Sequence, residues 1–246
     1  MNPKRKKRKI LRVNNSHKQI PLDFKNRKNQ TFQDFIAESN MLTLESMKNF
    51  TDSNAYIFYL WGEPGSGKTH LLNAYVESNN ALNKPSVLIQ PKDLSHRENV
   101  SLIEMFDSIC IDDSELISGD LLLEEALFFW INEIKQTQKK LVLASSISNK
   151  DKQWQLADLR SRLTSGQTHQ LIHLSRQGVI KAFVQQATEQ GINIEDKAIN
   201  YLENNCSMNM GFLKQLLIEI DKATLIHKKQ ATIPLIKNIL QTVLVN

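Results

Sequence analysis

The apolar positions of this chain fall into two regimes. Between Ala55 and Leu174, short apolar runs alternate with longer stretches of helical period. Ala55–Trp61, Ser86–Gln90 behind Pro85, Met105–Ile111, Leu141–Ala144 and Gln170–Leu174 read as strands, the leading ones apolar enough for burial on both faces. Helices are predicted over Met41–Phe50, behind the apolar Phe32, Phe35 and Ile36, and over about Lys68–Ser78. Two more are predicted over Leu121–Gln138, where Leu122, Ala126, Phe129, Ile131 and Ile134 recur, and over Trp154–Leu163. Strands alternating with helices imply an α/β domain over 31–175, a parallel five-stranded sheet with helices on both faces. From Ser175 onward only helical patterns remain: Gly178–Gln190, Glu195–Asn204, Gly211–His227 and Ile233–Val245, with Gly191 as a stop and Ala231-Thr232-Ile233-Pro234 as a start. They predict a small all-helical domain over 176–246.

Composition changes this picture mainly at the N-terminus. The formal charge is +5, yet Lys4, Arg5, Lys6, Lys7, Arg8, Lys9, Arg12 and Lys18 put eight cations and no acid into residues 1–18, which leaves −3 for the remainder. Such a tail is expected to be disordered by self-repulsion. It either holds phosphate backbones in a salt-dependent, sequence-independent way or merely solubilises the chain. Residues 19–30 are polar except for the island Gln19-Ile20-Pro21-Leu22-Asp23-Phe24. Pro21 and the charged flanks disfavour a helix, so the island is an extended arm whose apolar side chains dock into a partner's groove or pack back on the domain. No window approaches the ~18 uninterrupted apolar residues of a membrane span, and the N-terminus has no apolar signal-peptide core. A cytoplasmic protein is expected, with Cys110 and Cys206 as reduced packing residues.

The chemistry concentrates after the first strand. Gly62-Glu63-Pro64-Gly65-Ser66-Gly67-Lys68-Thr69 fits G-x-x-x-x-G-K-[ST], and three of the chain's eight glycines fall in it. Glycines let successive backbone N–H groups face a phosphate, Lys68 adds a point charge, the Thr69 hydroxyl can hold Mg²⁺, and the helix that begins here, with His70 in its first turn, presents its positive end. Ser108–Ile111 ends in Asp112 and Asp113 at the carboxyl edge of the sheet. There Asp112 is the natural Mg²⁺ holder and Asp113, one methylene shorter than the Glu often used, can polarise a water. Ser145 or Ser146, after the fourth strand, can orient water or simply begin a turn. Arg160 and Arg162 end a helix; an Arg there is either solvated or a phosphate-directed finger.

The order of phosphate loop, Asp112-Asp113, Ser146 and Arg162 before a helical lid resembles the AAA+ P-loop NTPases. More narrowly, from Gln19 to Leu244, it resembles the DnaA branch and, within it, the regulatory inactivators of DnaA, the Hda family. The matching stretches are Thr31-Phe32-Gln33-Asp34-Phe35 with Asn40, Tyr59-Leu60-Trp61, Cys110-Ile111-Asp112-Asp113, Asp158–Leu163 with Gly166-Gln167, and Thr232–Lys237. A full initiator would continue into a helix-turn-helix domain after the lid, for which this length leaves no room. The resemblance implies that Gln19, Ile20, Leu22 and Phe24 form a Q-x-x-L-x-F peptide for the β sliding clamp of DNA polymerase III, Leu22 and Phe24 filling an apolar pocket while Gln19 satisfies its polar rim. It also implies that Arg162 is an arginine finger directed at ATP held by DnaA, a GAP-type activity. The bound cofactor would be ATP or ADP with Mg²⁺, contacted by residues 62 and 64–70, Ser146 and Lys214.

Two departures from the family pattern bear on this. The lid position that carries a nucleotide-contacting arginine is Gly211 here, with Lys214 one turn on, and Ser146 replaces an acidic residue. Both imply weak intrinsic ATPase activity and an ADP-bound resting form. The basic tail is not part of the pattern. The rival reading is an autonomous AAA+ ATPase or helicase loader acting on single-stranded DNA; a third is a nucleotide-dependent adaptor. Whether the chain is a monomer or a homodimer that occludes Arg162 stays open.

Overall fold

A computed structural model describes residues 30–95, 101–206, 209–227 and 230–243. The basic tail and the arm bearing Gln19, Ile20, Leu22 and Phe24 lie outside the described residues.

In chain order the elements are α1 (Met41–Lys48), β1 (Ile57–Trp61), α2 (Lys68–Ala81), β2 (Ser86–Ile89), α3 (Ser101–Met105), β3 (Ser108–Ile111), α4 (Leu121–Gln136), β4 (Lys140–Ser145), α5 (Ala157–Ser165) and β5 (Gln167–Gln170). Four helices follow: α6 (Arg176–Glu189), α7 (Asp196–Asn205), α8 (Met210–His227) and α9 (Ile233–Val243). The five strands form one sheet in the order β2-β3-β4-β1-β5, with every pairing parallel. Parallel strands need helical crossovers, and these cover both faces. Alternation along each strand assigns the faces. Ile57, Tyr59, Ile109, Ile111, Leu141 and Leu143 pack with Leu127, Trp130, Ile131 and Ile134 of α4 and with Trp154 and Leu159. Phe58, Leu60, Cys110, Val142 and Ala144 point the other way, onto Leu44 and Met47 of α1, Phe50, and Leu71, Leu72 and Tyr75 of α2. Both faces of β1, β3 and β4 are therefore buried, which is why those runs read as continuous apolar segments. α6–α9 close on an apolar cluster of their own, with Phe183, Leu202, Leu216 and Ile236 among its members.

Several boundaries differ from the sequence expectation, each for a local reason. β5 lies at Gln167–Gln170, not 170–174. It is an edge strand with alternating partial exposure, so it needs no apolar run. The apolar residues after it serve the connection onward, with Leu171 buried and Ile172 54% exposed. β3 starts at Ser108, not Met105, because Met105 closes the short α3 and is exposed. α4 ends at Gln136 because Gln138 adopts φ 58°, outside helical space. Trp154 is a fully buried anchor ahead of α5, not its first turn. α1 stops at Lys48, and a separate 3-10 turn covers Phe50–Asp52. Among the described residues no helix is long and apolar enough to cross a membrane.

Candidate functional site

The loop between β1 and α2 is held by backbone geometry. Gly67 sits at φ 104°, a conformation that L side chains rarely adopt, and a Cβ there would stand 3.0 Å from Phe35 Cε2. Gly62 is required for a different reason: a Cβ would lie 2.6 Å from the carbonyl oxygen of Leu171. Its N–H donates to Ser145 O at 3.1 Å, which moors the loop to the end of β4. Lys68 is buried, and its ammonium donates to Gly62 O (2.7 Å) and Glu63 O (3.1 Å). Burial pulls its pKa below the usual lysine value, against the opposing carboxylates of Glu115, Asp112 and Asp113. The Ser66 hydroxyl is buried without a hydrogen-bond partner among the described residues. An orphaned hydroxyl, a lysine held on loop carbonyls and a positive-φ glycine make a cradle suited to an anion.

The carboxylate corner faces this cradle from the end of β3. Thr69 Oγ1 donates to Asp112 Oδ2 at 2.7 Å, so the two residues singled out for a metal meet directly. Asp112 Oδ1 accepts the Asp113 N–H (3.1 Å), and Asp113 turns the chain at φ 50°. Burial, Asp112 and Glu115 together raise the Asp113 pKa, and Lys68 opposes them. Among the described residues no group of three or more His, Cys, Asp and Glu could hold a metal on its own. Thr69 and Asp112 fit Mg²⁺ as partial ligands, completed by water and phosphate oxygens. Bound there, the cation would neutralise phosphate charge.

At the end of β4, Ser145 is fully buried, and the N–H of Ser146 donates to Glu115 Oε2 at 2.9 Å. Glu115 is the site residue that sequence reasoning missed. It stands in a 3-10 turn, Ser114–Leu116, with no periodicity to mark it; its spacing of three residues from Asp112 was the available signal.

The segment before α1 walls the loop. The ring of His70 meets Phe35 edge-on at 5.4 Å, and its Nε2 lies 2.9 Å from Thr31 O. Burial lowers its pKa, so the neutral ring donates Nε2–H to that carbonyl. The same segment reaches further. Asn40 makes a double hydrogen bond with Ile172, accepting its N–H and donating to its carbonyl, each at 2.8 Å. Glu38 accepts the N–H and the hydroxyl of Ser175, both at 2.7 Å, at the cap of α6, and these bonds lower its pKa. Asp34 O accepts from Gln185 of α6 at 3.1 Å. From the helical side, α8 begins beside the loop: a Cβ on Gly65 would be 3.9 Å from Met210 Cβ. Gly211 donates its N–H to Asn209 Oδ1, and the charge of Lys214 acts on His70. Lys214, one turn into α8, thus lies within electrostatic reach of the His70 ring.

Arg162 is not brought to the phosphate loop. α5 ends at Ser165, and a Cβ on the next residue, Gly166, would be 2.7 Å from Ile57 at the start of β1; the loop leaves the opposite end of that strand. Among the described residues its guanidinium makes no ion pair and no hydrogen bond.

Residues 177–240 match the family model described as "Hda, lid domain". An uncharacterised protein of Haemophilus influenzae is 33% identical over 229 residues, covering 91% of this chain and 99% of that one. Domain III of the replication initiation protein DnaA from Thermotoga maritima superposes with a TM-score of 0.77 at 18% identity, over 87% of this chain and 96% of that one. A DNA replication initiation factor gives 0.69 at 23% identity over 81% of this chain, which spans just under two thirds, 66%, of that protein. DnaA from Aquifex aeolicus bound to AMPPCP gives 0.68 at 22%, over 82% and 67% of the two chains. At these identities the three structures speak for the fold alone.

Proposed function

The chain belongs to the DnaA-related AAA+ proteins of the Hda type, and from this premise we propose that it restrains the initiation of DNA replication by promoting hydrolysis of ATP held by DnaA. Residues 31–175 are the nucleotide-binding domain and residues 176–246 its lid. Lys68, Thr69, Asp112 and the backbone of residues 62–70 hold ATP or ADP with Mg²⁺, Asp113 and Ser146 lie alongside, and Lys214 approaches from the lid. The bound nucleotide shapes the protein, and intrinsic turnover is weak. Gln19, Ile20, Leu22 and Phe24 tether the chain to the β sliding clamp in the bacterial cytoplasm, close to the nucleoid. Arg162 completes the ATP site of a neighbouring DnaA molecule and yields inactive ADP-DnaA.

The observation that carries this reading is the separation of the two halves of the chemistry. Thr69 and Asp112 meet at 2.7 Å, whereas α5, which bears Arg162, closes near the start of β1, away from the phosphate loop, with no partner for the Arg162 guanidinium among the described residues. A cation so placed is suited to another molecule's phosphates. The test is turnover of DnaA-bound ATP in the presence of clamp loaded on DNA. Arg162→Ala should abolish stimulation while nucleotide binding persists, and Gln19→Ala with Leu22→Ala should lose stimulation by losing the clamp. An Arg162→Ala protein as active as the unsubstituted chain sinks the mechanism. The intact Thr69–Asp112 pair favours a second reading, an autonomous ATPase or helicase loader; turnover by the isolated protein, stimulated by single-stranded DNA and abolished by Lys68→Ala, would support it.

A further inference from the structure

The pairing of β3 with β4 stops at Ile111 and Leu143, and side chains continue it toward the nucleotide site. Ser114 Oγ donates to Ala144 O at 2.9 Å in the buried interior. One residue on, Glu115 Oε2 accepts the Ser146 N–H at 2.9 Å. These two bonds fix the turn after Asp113 against the end of β4, and they fix the Glu115 carboxylate with it. Its other oxygen, Oε1, accepts no hydrogen bond among the described residues.

The charges around that carboxylate are unbalanced. Glu115, Asp112 and Asp113 all act on Lys68, with Glu115 the strongest of the three. The first turn of α8 beside the loop, Met210-Gly211-Phe212-Leu213, brings no charge. A polyphosphate arriving alone meets two cations, Lys68 and, one turn further along α8, Lys214, against these three carboxylates, and a divalent cation at Thr69 and Asp112 reverses that balance. Glu115 is held by Ser146, not by Thr69, so it acts as a fixed charge and not as a metal ligand.

We propose that Glu115 is a specificity-determining residue of the site: its carboxylate, fixed by the Ser146 N–H, makes the pocket accept a nucleotide polyphosphate as its divalent-cation complex and reject the cation-free form. The inference rests on the reading of residues 62–69 as a nucleotide site. Glu115→Gln is the discriminating variant, because the amide oxygen still accepts from Ser146 N–H while the charge is gone. Binding of a fluorescent N-methylanthraniloyl ADP to the full chain is titrated with Mg²⁺ present and again in excess EDTA. At an effective dielectric constant of about 20, a like charge within several ångströms of a phosphate is worth on the order of tenfold or more in affinity. The variant should therefore bind cation-free nucleotide about tenfold tighter, with little change in the presence of Mg²⁺, so the ratio of the two dissociation constants collapses. A ratio unchanged from the unsubstituted protein overturns the inference. Added salt gives a check without substitution: screening of the repulsion should strengthen cation-free binding, and a monotonic weakening would also overturn it. If the unsubstituted protein binds nothing, or Lys68→Ala binds as well as it does, the nucleotide-site reading fails instead.

Discussion

Glu124 offers a direct test of how the arginine-bearing helix is positioned. It lies on α4 yet is fully buried, and its carboxylate serves a different part of the chain. Oε1 accepts the N–H groups of Gly119 (2.9 Å) and Gln155 (3.0 Å), and Oε2 accepts that of Leu156 (2.7 Å), the residue that caps α5. Glu124→Ala removes three charge-assisted bonds and leaves three backbone donors facing a void. A hydrogen bond to a charged group contributes about 1.5–3 kcal/mol, but the three share one carboxylate and do not add; a loss of about 3–5 kcal/mol follows. Glu124→Gln keeps one acceptor oxygen and turns an amide NH₂ toward another N–H, so about half that loss is expected. Urea unfolding reads both variants, the transition midpoint falling while the slope stays constant. Stimulation of DnaA-bound ATP turnover should fall with the loosened α5, while nucleotide binding at Lys68 is retained. A Glu124→Ala protein within about 1 kcal/mol of the parent would refute the assignment of these three bonds as a structural tie.

Further predictions follow from other contacts. Burial lowers the pKa of His70 below its ordinary 6.5, so the unfolded chain takes up a proton first as pH falls; stability is flat above pH 6.5 and declines below it. His70→Gln should flatten part of that slope in urea midpoints measured across pH, and His169, whose pKa is also lowered by burial, keeps the rest. Gly67→Ala forces a side chain to φ 104° and into Phe35; a loss of about 1–3 kcal/mol and of nucleotide binding is expected, read by thermal melts and by fluorescent-nucleotide titration. Asn40→Ala removes both bonds to Ile172 at a position 3% exposed. It should cost about 2–3 kcal/mol and speed proteolysis across residues 171–175.

What the sequence disclosed was local in origin. The phosphate loop, the strand ending in Asp112 and the succession of strands and helices depend on residues close together in the chain, and each was legible. β5 begins three residues and ends four residues earlier than expected because an edge strand of Gln, Thr and His carries no apolar signature, while Leu171, Ile172 and Leu174 imitate one. Glu38, Glu115 and Glu124 were silent for another reason, and Asn40 entered only through the family resemblance. Each is a polar side chain that satisfies backbone groups far away in sequence, and neither periodicity nor composition marks such a bond. His70 was read as a phosphate-loop residue from its place beside Thr69; its ring proves to be engaged by Thr31 and Phe35.

The segment from Thr31 to Asn40 touches the phosphate loop through Phe35, the strand-to-helix connection through Asn40 and the α6 cap through Glu38. It is also where the chain from residues 19–30 joins the folded body. A pull on that upstream chain is therefore delivered at once to three load points: the floor of the nucleotide site, the joint and the lid. Were residues 19–30 to tether the molecule, tension on them would pass through the parts that touch the phosphate loop, and the strength of the tether and the grip on the ligand would be coupled.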